Sequence, residues 1–231
     1  MKCALNIRKS LMVCVALSVC GGVVCADGVQ DSAGTISASD AFVRLPAKAL
    51  DLLTTSMRKD MLDYYRNDSI YKVKNVMDGE SCIIAPVTQD YLKVQVTPVT
   101  TLTVRVLPAK REPLVMTVYT VGDSLQAHDS DIRFYDASMK EQPRDRYIEL
   151  ASTIDFIDGS RLKKSERDEL ESLVPFPTVE YGIGPGSATM TANLTVGRFM
   201  SKEDMEKLSP YLDRTCVYRW TGGKFVKDKN G

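Results

Sequence analysis

YLKVQVTPVTTLTVRVLPAKREPLVMTVYTV, residues 91–121, is the stretch from which the fold is read. Leu92, Val94 and Val96 alternate with Lys93, Gln95 and Thr97. Leu102, Val104 and Val106 alternate with Thr103 and Arg105, and Leu114, Met116 and Val118 with Val115, Thr117 and Tyr119. Successive side chains of a strand point to opposite faces, so a period of two assigns one set to a buried face and the other to water or a second layer. Pro98, Pro108 and Pro113 fall where strands should end, because proline has no N–H for the ladder. Connections this short join antiparallel neighbours, as a meander. The expected fold class is therefore α+β: an antiparallel meander covered by helices, arranged as one body or as two similar subdomains.

The flanking segments supply the cover. Asp40 reads as the cap of a short helix over 41–45 that stops near Pro46. A longer helix is expected over 55–66, capped by Thr55 or Ser56, with Met57, Met61, Leu62 and Tyr65 on one face. Strands are expected at 71–76 and 82–87 around the Asp78-Gly79 turn, and again at 132–135. This first half covers 40–137. Polar residues 138–146 form the boundary, and a second α+β half, 146–227, packs on the first. It holds a short helix at 150–157, a helix opened by Ser165, a hairpin around Gly184-Pro185-Gly186-Ser187, a helix opened by Ser201 and Asp204, and a closing hairpin at Gly222-Gly223.

Residues 1–26 read as a signal peptide: Lys2, Arg8 and Lys9, then an apolar run from Leu11, then Val24-Cys25-Ala26 at the cleavage spacing. Residues 27–39 read as a flexible N-terminus. The chain is thus expected to be exported, to the periplasm or the outer membrane. Membrane attachment is expected only through lipidation at Cys20, where Leu17-Ser18-Val19-Cys20 approaches a lipoprotein box. Removing residues 1–26 takes three basic and no acidic residues from a chain with 30 of each, leaving a net charge of −3. That balance argues against nucleic acid as a partner. Cys82 and Cys216 remain as candidates for a disulfide in an oxidising compartment, or as small core residues.

Few residues carry a chemical signature. His128 is the only histidine and stands beside Asp129 and Asp131, which makes it a candidate base or ligand, but no nucleophile motif accompanies it. Asp123, Asp129, Asp131 and Asp136 lack the spacing of a calcium loop, and two distant cysteines with one histidine give no zinc spacing. Gly182, Gly184 and Gly186 lie in a hairpin, where a dinucleotide fingerprint would need a following helix. No cofactor or metal is expected. Trp220 and Phe225 on the last hairpin are candidate partner anchors, core closure being the alternative.

Leu62-Asp63-Tyr64-Tyr65, the run Asp90 to Val94, Val106-Leu107-Pro108, Ile132 to Asp136 and Tyr218-Arg219-Trp220 resemble an uncharacterised secreted family of Bacteroidales, domain-of-unknown-function family 3256. The resemblance spans about 40–226 and brings no assigned catalytic residues. It implies an envelope or extracellular setting. In such organisms, Asp-Ser/Thr followed by an apolar residue is an O-glycosylation pattern, which makes Ser32, Ser69 and Ser124 candidate sites. The expected function is a non-catalytic binding or scaffold module of the cell envelope, partnered by an envelope protein or a glycan. The alternatives are a carboxylate-based hydrolase, since acid/base pairs leave no sequence signature, and a small-ligand or glycan binder.

Overall fold

The structure is a computed structural model that describes residues 36–67, 72–110, 112–122, 127–196, 199–213 and 215–228. The signal segment, Cys20, Ser32, Ser69 and Ser124 lie outside the described residues. The described residues belong to one compact unit.

The meander is present as read: β3 (Tyr91–Thr97), β4 (Thr100–Leu107) and β5 (Leu114–Val121). With β1 (Val73–Lys74), β2 (Glu80–Ile83), β6 (Asp129–Tyr135) and β7 (Glu141–Gln142) they make a seven-stranded sheet in sequence order. All its pairings are antiparallel. The second strand ends at Ile83 rather than running to 87, ahead of Pro86, which has no N–H to continue a ladder.

Register assigns the faces. Leu92 pairs with Val104, Val104 with Thr117, and Val115 with Tyr135. Leu92, Val104, Val115 and Tyr135 look toward α1 (Ala38–Arg44) and α2 (Thr55–Arg66), sharing a core with Phe42, Met61 and Leu62. The opposite face is also covered. Leu107, Leu114, Met116, Val118, Ile132 and Phe134 share a second core with a four-stranded sheet of β8 (Val179–Ile183), β9 (Thr189–Leu194), β10 (Thr215–Trp220) and β11 (Phe225–Lys227). The order of that sheet is β11-β10-β9-β8. The meander is thus the middle of three layers, and its LVM run at 114–116 is buried on both faces.

The connecting helices differ in detail from expectation. The first is capped by Ser37, and Asp40 is its reciprocal partner: Asp40 N–H donates to Ser37 Oγ at 3.0 Å and Ser37 N–H to Asp40 Oδ2 at 3.3 Å. The second is capped by Thr54, one residue earlier than read. The helix expected at 150–157 is a single 3-10 turn, Thr153–Phe156. The helix α3 (Lys164–Ser172) is opened not by a Ser165 cap but by Glu166, which accepts from Lys163 N–H at 2.7 Å. The helix α4 (Lys202–Leu208) has Ser201 as its cap, as read, and buries Leu208. Among the described residues, no helix is long and apolar enough to cross a membrane.

The Asp78-Gly79 turn is held from beneath by a buried residue that carries no motif. Asn75 Oδ1 accepts from Met77 N–H and Gly79 N–H, both at 3.0 Å. Its Nδ2 donates to Val96 O at 3.1 Å and to Ser81 Oγ at 3.3 Å. Asp78 takes φ of +58°, which asparagine and aspartate tolerate better than most residues. Asn75→Ala strands these buried groups. It is expected to destabilise the chain by about 2 kcal/mol, read as a lower urea midpoint with unchanged slope.

Candidate functional site

A 960 Å³ groove lies at one end of the molecule. Three separated segments line it: the β4–β5 connection, the β7-to-Tyr147 stretch and the β10–β11 hairpin. Each is pinned. Trp220 Nε1 donates to Pro108 O at 2.7 Å, which ties the hairpin to the end of β4. Phe225 N–H donates to Tyr147 O at 2.8 Å, and Trp220 N–H to Ala188 O at 2.7 Å. Pro143 ends β7 and starts the 3-10 turn Arg144–Arg146, after which Tyr147 N–H donates to Arg144 O at 2.9 Å. The Tyr147 ring then packs on Phe134, with centroids 4.9 Å apart.

Trp220 and Phe225 are not free anchors. Trp220 is 8 % exposed, Phe225 is buried, and their rings meet at 5.0 Å inside the shared core. The reason is register: Trp220 pairs with Phe225 on the inward face of the second sheet. What Trp220 gives the groove is an edge of ring, with its N–H already bonded to protein. Lys110, Arg146 and Lys224 are exposed along the rim, and among the described residues none of the three is ion-paired. The Arg146 guanidinium stands 5.6 Å from the centroid of the Tyr147 ring. Glu112 and Asp136 are the acids in the lining. Asp136 is engaged within its own turn, accepting from Ser138 Oγ at 2.6 Å, Ser138 N–H at 2.9 Å, Lys140 N–H at 3.0 Å and Gln142 Nε2 at 2.9 Å. The Ser138 hydrogen bond is the main cause that holds its carboxyl below the ordinary range.

A smaller cleft of 220 Å³ lies between the first 3-10 turn (Ala47–Ala49) and the helix-facing side of the meander. Lys48, Asp51, Asp131 and Arg133 line it. Asp131 is paired with Arg133 at 2.7 Å and with Arg144 at 3.4 Å. At the end of the molecule away from the groove, Phe176 is 87 % exposed and Phe199 also faces water.

The residues picked from sequence are scattered. His128 Nδ1 lies 3.1 Å from Glu180 Oε2, its ring fills the space beside Gly122, and its carbonyl accepts from Thr195 Oγ1 at 2.5 Å. Asp129 Oδ1 accepts from Val179 N–H at 3.1 Å, so this acid joins the two sheets. Among the described residues, no three His, Cys, Asp or Glu side chains converge as metal ligands would. Cys82 lies on β2 and Cys216 on β10, and both are free thiols. They belong to different sheets. Burial pushes the Cys216 thiol up, away from the reactive thiolate.

Among solved structures, a domain of an uncharacterized protein from Porphyromonas gingivalis W83 is similar to this chain, with a TM-score of 0.68 and 20 % sequence identity. The match covers 83 % of this chain and 98 % of that one, and it shows a shared fold. No curated protein matches the chain. The sequence profile of the family described as "Protein of unknown function (DUF3256)" matches residues 31–225, so the chain belongs to that family.

Proposed function

We propose that this chain is an exported, non-catalytic binding module of the bacterial cell envelope that engages its ligand through the groove floored by Tyr147 and Trp220. The observation that carries the reading is the groove itself. It encloses 960 Å³, and the segments that bring Tyr147 and Trp220 into its lining are fixed by the two hydrogen bonds to Pro108 and Tyr147. Among the described residues, Lys110, Arg146 and Lys224 on its rim form no ion pair, although Glu112 and Asp136 also line it. Export rests on the basic and apolar character of residues 1–26. A carboxylate-based hydrolase needs one carboxyl raised toward neutrality to deliver a proton. The carboxyls that are displaced here move the other way: Asp90, Asp136, Glu141, Asp155 and Asp158 all sit below their ordinary range.

Photo-crosslinking in cells tests the reading. A benzophenone amino acid replaces Gly223, where an added side chain meets open space, or Phe176, which is already exposed. Discrete adducts from position 223 and none from 176 are expected. Adducts from 176 alone would move the binding surface to the other end of the molecule and contradict the proposal.

A further inference from the structure

We draw no further inference here: the strongest candidate, the surface patch of exposed apolar residues Val76, Met77, Val99 and Val121 at the β1–β2, β3–β4 and β5–β6 connections of the seven-stranded sheet, carries none because nothing in the structure shows what covers it.

Discussion

Replacing Arg58 by methionine is expected to destabilise the chain by about 3–4 kcal/mol and to lower its melting temperature by roughly 10 °C. Arg58 is 1 % exposed, yet its hydrogen bonds go to carbonyls rather than to a carboxylate. Its Nε donates to Leu53 O at 2.9 Å, and its Nη1 to Phe42 O at 3.0 Å, Val43 O at 3.1 Å and Leu45 O at 2.7 Å. The last carbonyls of a helix have no partner within it and form the negative end of its dipole. Arg58 on the second helix therefore caps the first, across the Pro46 turn, and fixes the angle between the two elements that cover the meander. Burial pulls its pKa down, but from so high a value that the group stays charged. Methionine fills similar volume and leaves the carbonyls buried without donors. Arg58→Lys should recover part of the loss, because an ammonium reaches some of the carbonyls without the guanidinium fork. Calorimetry on the wild type and the two variants checks this. Equal melting temperatures for the wild type and Arg58→Met would contradict it.

The second large effect lies on the other face of the meander. Arg105, an outward polar residue by alternation alone, is buried between the sheets. It is ion-paired with Asp90, donates to Asp90 O at 2.8 Å and reaches Ser187 O at 3.2 Å. Asp90 also accepts from Gly186 N–H at 3.2 Å. The pair fastens the β8–β9 turn to the seven-stranded sheet. Asp90→Asn leaves a buried guanidinium without its counter-charge. A loss of about 2–3 kcal/mol at pH 7 is expected, at the low end for a broken buried pair because the carboxylate is partly exposed and backbone carbonyls remain. Burial opposes the charged form of Asp90, but the Thr88 hydrogen bond and the Arg105 charge outweigh it and set its pKa below the ordinary value. A carboxyl depressed in the folded state contributes stability above its unfolded pKa and loses it as pH falls through the folded one. Asp136, Glu141, Asp155 and Asp158 shift in the same direction. The urea midpoint should therefore hold from neutral pH down to about 4 and then fall. The gap between wild type and Asp90→Asn should narrow over that fall.

The meander is legible because three consecutive strands alternate cleanly between prolines, and local period is what sequence carries best. The hairpins at Asp78-Gly79, Gly184–Ser187 and Gly222-Gly223 are legible for the same reason: turn chemistry is local. Two buried arginines are not. Arg58 stands at helical spacing with Met61, Leu62 and Tyr65, so a charge within the apolar stripe is the available sign that something must receive it. Arg105 escapes a reading in which alternation implies one buried face; the contiguous apolar residues Leu114, Val115 and Met116 already argue for two. The groove leaves no local trace. Its lining comes from residues 109–110 and 112–114 and from the 136–147 and 220–224 segments, and only sheet topology brings them together. Trp220 and Phe225 can be read as anchors or as core, and their pairing on the inward face of a sheet is a long-range fact.

Amide chemical-shift mapping tests the central claim most directly. The isotopically labelled chain is mixed with the soluble fraction of the host envelope, and the mass profile of that fraction is recorded before and after incubation. The account predicts perturbations concentrated at 109–113, 142–147 and 220–225, with the fraction recovered unchanged in mass. Perturbations centred instead on Lys48, Asp51, Asp131 and Arg133, together with cleavage of the added material, would contradict it and establish the smaller cleft as a catalytic site.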